Sequence, residues 1–110
     1  MPRDKGLEAQ INEDLEGITG FSGKAMFGGW AWLLDGKLLL GARHVGMLAR
    51  IGEENEAWAL KLPGITPMMM REKRMRGWVR LGIDLCGDDA LRRKLINTAI
   101  AFVRSLPEKD

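Results

Sequence analysis

This sequence is short of the side chains that most often carry chemistry. In 110 residues it has one cysteine, one histidine and two serines. A lone Cys86 cannot close an internal disulfide, and it lacks the base or electropositive neighbour that would make a thiolate nucleophile; a partly buried structural cysteine in a reducing cytoplasm is the expectation. His44 lies in an expected turn between Arg43 and Gly46. Proton transfer near neutral pH would need that residue or a strongly perturbed carboxylate, and a solvated turn residue is the simpler reading. Neither Ser22 nor Ser105 sits in a G-x-S-x-G elbow. One histidine and one cysteine do not build a zinc centre without several carboxylates. Asp84, Asp88 and Asp89 lie close in sequence, but the last two are accounted for as helix caps. The expectation is therefore no catalytic, cofactor or metal site.

Long apolar runs are missing too. None approaches the roughly 20 residues a membrane-spanning helix needs, and no apolar signal core follows the N-terminal MPRDKGLE. A cytoplasmic protein that does not enter the membrane is expected. The charge balance is only +2, less one-sided than a dedicated DNA-binding domain usually is.

What is present is the pattern of one α+β domain. Hydrophobic residues make up 45% of the chain, enough for a single core over residues 4–107 without a staple. Residues 1–3 and 108–110 are expected to be frayed tails. Leu7, Ile11 and Leu15 recur at four-residue spacing across Asp4–Glu16, which predicts an amphipathic helix with Glu8, Glu13, Asp14 and Glu16 on its wet side.

Lys24–Leu34 reads as one long strand, bent at Gly28–Gly29 by a bulge or a close backbone approach. Trp30, Trp32 and Leu34 share one face, Ala31 and Leu33 the other. Gly28–Gly29 has neither phosphate-loop nor dinucleotide-loop spacing. Asp35–Gly36 between apolar runs is a strong hairpin signal, because a type I′ turn needs positive φ at both positions. Lys37–Ala42 and Met47–Ile51 continue the meander.

A helix opens at Glu53, Glu54 and Glu56, where carboxylates complement the helix dipole, and ends before Pro63. Ile65–Met70 follows as a weaker strand, in which Pro67 implies an edge position or a strand start. Arg71–Arg76 is read as a charged connection and Gly77–Ile83 as the last strand. Asp88 or Asp89 caps a final helix. Its inner face is Leu91, Leu95, Thr98, Ala99, Phe102 and Leu106, with Arg92, Arg93, Asn97 and Arg104 outside. The order is α-β(3)-α-β(2)-α: helices on a mostly antiparallel sheet in two layers.

Two features outside the core invite a binding role. Arg71, Lys73, Arg74 and Arg76, with Arg80 beyond, form the most basic segment and could meet phosphates beside Trp78, unless Glu53, Glu54 and Glu56 neutralise it. Met68, Met69 and Met70 cannot all point inward from one strand, so at least one is exposed or in an interface.

These residues resemble a known family. Lys24–Gly29, K-A-M-F-G-G, is similar to the R/K-x-M-F-G-G signature of the TfoX/Sxy N-terminal domain family. The likeness continues through Asp35-Gly36-Lys37, Arg50-Ile51-Gly52, Leu62-Pro63-Gly64, Pro67-Met68, the segment Met75–Val79 and Ser105–Pro107. It therefore covers nearly the whole chain. The resemblance implies a fold of order α-β(3)-α-β(2)-α, similar to type III secretion chaperones, and a non-catalytic bacterial regulatory domain. Full-length members regulate natural transformation with the cAMP receptor protein and carry a second, C-terminal domain; this chain resembles a stand-alone N-terminal domain. At Met69-Met70-Arg71-Glu72 it departs from the family's more polar turn. The signature residues Met26, Phe27, Gly28, Gly29, Asp35 and Gly36 transfer as structural residues only.

The leading expectation is a regulatory protein-interaction domain that binds a protein partner and forms a homodimer through an exposed strand or the Met-rich edge. The candidate surface is Met68, Met69, Met70, Arg71, Lys73, Arg74 and Arg76. Direct nucleic-acid binding by Arg71–Arg80 is the alternative. A small-ligand site walled by Trp30, Trp32 or Trp58 is the second alternative. Gly29→Val is expected to lower stability, on the argument that a β-branched residue resists positive φ.

Overall fold

The computed structural model describes residues 4–26 and 28–107. Three of the expectations above, the frayed ends 1–3 and 108–110 and the signature residue Phe27, lie outside the described residues.

Helix α1 spans Lys5–Asp14, and the Asp4 carboxylate caps it by accepting from the Leu7 amide. Four strands follow: β1 Phe21–Met26, β2 Gly29–Leu34, β3 Lys37–Arg43 and β4 Gly46–Arg50. Helix α2 covers Glu53–Ala59, β5 Ile65–Met70 and β6 Lys73–Gly82. After a single 3-10 turn at Ile83–Leu85, α3 runs from Asp89 to Ser105, with Asp88 accepting from the Leu91 amide as its cap. The strands form one antiparallel sheet in the order β1-β2-β3-β4-β6-β5. This is the expected α+β class, an antiparallel sheet layered with three helices.

Within that class, the first expected strand is two. Lys24–Leu34 does not run straight through Gly28–Gly29; β1 and β2 fold back on each other as a hairpin in which Met26 faces Gly29. Gly28 takes φ 72°. Gly29 has ordinary φ, so the positive-φ argument for Gly29→Val fails. Its constraint is a close approach instead: a Cβ there would penetrate the carbonyl oxygen of Ala42 on β3. Asp35 and Gly36 have φ 51° and 80°, the pair of values a type I′ hairpin requires.

The helix-side face of the sheet carries the main core. Trp32, Leu40, Met47, Ala49, Val79 and Leu81 meet Leu7 and Ile11 of α1 and Leu95, Ile96, Ala99 and Val103 of α3. Alternation explains the choice, because residues two apart on a strand share a face. The indole N–H of Trp32 donates to Asn12 Oδ1 at 2.9 Å, which fixes α1 to β2 and satisfies the one polar atom of that side chain.

The expectation of wet helix faces is reversed at Glu8, which is only 7% exposed, and at two further residues. Asp14 and Arg92, both assigned to wet helix faces, form a buried pair at 2.6 Å with side chains only 1% and 2% exposed. Arg92 also donates to the Cys86 carbonyl at 2.7 Å and pairs with Asp89 at 2.9 Å, while exposed Arg93 donates to Asp14. Burial alone would push the Asp14 carboxyl up, but the hydrogen bonds from Arg92 and Arg93 outweigh it and hold the group below its ordinary value. The inner face of α3 is rotated accordingly. Ile96, Ile100 and Val103 are buried with Leu95 and Ala99, whereas Thr98 is only half-buried.

Candidate functional site

The site is built from the β5–β6 hairpin, which behaves as an arm. Its inner half pairs regularly, with Ile65 opposite Leu81 and Thr66 opposite Arg80. Between Pro67 and Met69 the register jumps, so that Met69 faces Arg74 and Met70 faces Lys73. Gly77, at φ 82°, sits on the β6 side of that break. At this break the hairpin meets the face of the sheet opposite the helices through Met68. Met68 packs on Leu48 of β4 and Trp78 of β6, with Leu38 and Met75 at the margin of the same cluster. Arg71–Arg76, expected to be a connection, is therefore mostly strand; only Arg71 and Glu72 form the turn, and Arg71 has φ 59°.

The candidate surface residues separate into three groups. Met68 is buried, 3% exposed, and holds the arm to the sheet; Met69 and Met70 are 52% and 40% exposed at its tip. Arg74 and Arg76 are turned toward α2, where Arg74 meets Glu56 at 2.6 Å and Arg76 meets Glu53 at 3.7 Å. Glu56 also accepts from the Gly77 amide, so it braces the bend itself. Two of the three glutamates expected to neutralise the basic segment do so. Arg71 and Lys73 remain exposed at the tip.

Under the arm lies an open cleft of about 570 Å³, floored by Leu48 and Met68 and lined by Arg43 of β3, Arg80 of β6 and Arg71 of the turn. The Thr66 hydroxyl accepts from Arg80 Nε at 3.4 Å. Arg43 and Arg80 escaped the sequence reading as members of one site. Arg43 looked like a turn residue and Arg80 like the end of a basic run. Strand alternation was the available signal for Arg80, since it shares a face with the residue opposite it, Leu48. No local signal brings Arg43 of β3 and Arg71 of the turn to one cleft. A second hollow of about 600 Å³ beside α2 is lined by Arg50 and Arg76 but also by Glu53 and Glu54, and so has no one sign of charge.

His44 is exposed in the β3–β4 turn. The Cys86 thiol is buried against the Leu81 and Gly82 carbonyls, 3.5 Å from each, and burial pushes its pKa up, away from thiolate. Trp58 Nε1 donates to Asn55, and the Lys94 ammonium stands 4.7 Å from the Trp58 ring centre. Trp32 belongs to the core, and Trp30 packs against it half-buried. Among the described residues no three His, Cys, Asp or Glu side chains gather as a metal centre would require, and no helix is long and apolar enough to cross a membrane.

Both edges of the sheet carry features that resist strand addition. On β1, Lys24 is exposed in mid-strand; on β5, Pro67 withholds an amide and the register break distorts the ladder. Comparison of the chain with known family models, curated proteins and solved structures found no match in any of the three.

Proposed function

We propose that this chain is a non-catalytic regulatory domain that docks a protein partner on the tip of its β5–β6 arm. The observation that carries the reading is the exposure of Met69 and Met70 side by side on a hairpin that Glu56 and Met68 hold in place. Unbranched, polarizable methionines on a braced support make an adaptable contact surface that costs little backbone ordering on binding. The resemblance of Lys24–Gly29 and the segments after it to TfoX/Sxy N-terminal domains agrees with a bacterial regulatory role. Burial of Cys86 and the solvated position of His44 agree with a domain that binds rather than reacts. Direct nucleic-acid contact is the weaker reading, because Arg74 and Arg76 already face carboxylates on α2.

The test is affinity capture from an extract of the source cell with the wild-type chain and with Met70→Asp, alongside sedimentation of each. A charge placed at the tip leaves the fold intact and is expected to abolish capture of the specific partner, or dissociation-resistant self-association if the partner is a second copy. Equal capture and equal sedimentation by the two proteins would overturn the assignment.

A further inference from the structure

We infer that the partner meets the arm with an acidic segment of a protein chain, its apolar side chains on Met69 and Met70 and its carboxylates beside Arg71 and Lys73. The inference rests on the docking function above and names the chemistry of the partner. Cross-strand register sets the surface. Met70 stands opposite Lys73 and Met69 opposite Arg74, so each exposed methionine shares a face of the hairpin with a cation. The two faces differ in what they already hold. Arg74 is engaged by Glu56 of α2, whereas Arg71 and Lys73 are exposed and form no ion pair among the described residues. The sheet behind the tip carries the same sign. Its six strands contain eight lysines and arginines and no aspartate or glutamate. The net charge of +2 therefore hides a division, with the sheet positive and the carboxylates confined to the rest of the chain. Register carries this charge across the face opposite the helices. Lys24, Ala31, Gly41, Leu48 and Arg80 form one cross-strand row with a cation at each end. A field of one sign favours an acidic partner and speeds its approach.

The tip favours an acidic protein segment over a nucleic acid or a lipid surface. A nucleic-acid strand needs a continuous basic track with stacking platforms. Here Arg74 and Arg76 face carboxylates of α2, and Trp78 is only 6% exposed. Glu72, exposed in the turn between Arg71 and Lys73, decides further. Backbone phosphates and anionic headgroups present negative charge at close, regular intervals, so Glu72 opposes both. A protein segment can place an apolar residue opposite Glu72 and keep its carboxylates for the two cations. Exposed methionines also need apolar side chains to pack on, which such a segment supplies.

In the experiment, the full chain with the photoreactive substitution Glu72→p-benzoylphenylalanine is irradiated in an extract of the source cell, and the cross-linked peptide is sequenced. The expected peptide comes from a protein, carries net negative charge and includes apolar residues. A synthetic, fluorescently labelled copy of it is then titrated with the full chain at low and moderate salt. Added salt should weaken binding. Lys73→Gln and Arg71→Asn should each weaken it about threefold, and Glu72→Gln should strengthen it by about the same factor. Asparagine tolerates the left-handed backbone at position 71, so that variant should fold normally. Lys73→Glu should weaken binding about tenfold, and replacing one carboxylate of the peptide by lysine should recover part of that loss. Arg104→Gln, exposed on α3, should bind as wild type. A neutral or basic cross-linked peptide overturns the inference and leaves docking at the tip standing, as do affinities unchanged by both Lys73→Gln and Glu72→Gln. Cross-linking to nucleic acid or lipid, no cross-link at all, or equal capture by the Met70→Asp and wild-type proteins overturns both readings.

Discussion

Replacing Asp14 by alanine tests whether the buried Asp14–Arg92 pair is the principal polar tie between the first and last helices. The substitution leaves the Arg92 guanidinium 2% exposed, with the Cys86 carbonyl at 2.7 Å and a mostly exposed Asp89 at 2.9 Å as its remaining partners. Removing one member of a buried pair costs about 3–5 kcal/mol, because the other charge stays desolvated. Asp89 keeps part of the compensation, so the lower end, about 3 kcal/mol, is expected. Against a total stability of roughly 5–15 kcal/mol for a domain of this size, that is a large loss. Urea unfolding followed by tryptophan fluorescence reads it directly. With a slope of about 1–3 kcal/mol per molar urea, the midpoint should fall by about 1–3 M with the slope unchanged. Arg92→Met should also destabilise, though less, since exposed Arg93 still reaches Asp14 at 2.9 Å. The double variant Asp14→Leu/Arg92→Met should recover at least half of the larger loss, as apolar replacement of both partners is often near neutral. Glu13→Ala, on the wet face, should stay within about 0.5 kcal/mol. An Asp14→Ala protein within about 1 kcal/mol of wild type would refute the reasoning, and so would a double variant worse than the sum of the singles.

The same carboxylate sets a pH dependence. Its folded pKa lies below the ordinary value of 3.8, so the stability it contributes is complete above that value and is lost as the pH falls through the folded pKa. Acid titration of the wild type should show this loss below pH 3.8, and Asp14→Asn should lack it; parallel curves would contradict the assignment. The two glycines of the β1–β2 hairpin should behave differently. Gly29→Ala drives a Cβ into the Ala42 carbonyl and should cost about 3 kcal/mol or more, whereas Gly28→Ala meets open space and carries only the roughly 1–2 kcal/mol of a left-handed backbone. Melting temperatures in the reverse order would show that the turn, not the close approach, is limiting.

Much of the architecture was legible in local pattern. Four-residue spacing marked α1, the Asp35–Gly36 pair marked its hairpin, Pro67 marked an edge or a strand start, and Asp88 or Asp89 marked the start of α3. These signals work because they report the constraint of a single turn or a single helical face, which neighbours in sequence are sufficient to create. The pairing of Glu53 and Glu56 with the basic segment was legible for a related reason, since opposite charges were the only surplus on each side.

What the sequence alone left undecided was every feature that depends on two distant segments meeting. Gly28–Gly29 is a hairpin rather than a bend because β1 pairs with β2, and a glycine pair is compatible with both outcomes. Arg92 and Asp14 carry the signature of solvent-facing residues; only the meeting of the end of α1 with α3 buries them, with each as the other's compensation. Arg43, Arg71 and Arg80 line one cleft only because β3, the hairpin turn and β6 meet there. Local propensity and periodicity therefore determined the elements and their order. Tertiary packing decided which charges are buried, since the desolvation that governs them arises only when the chain closes on itself.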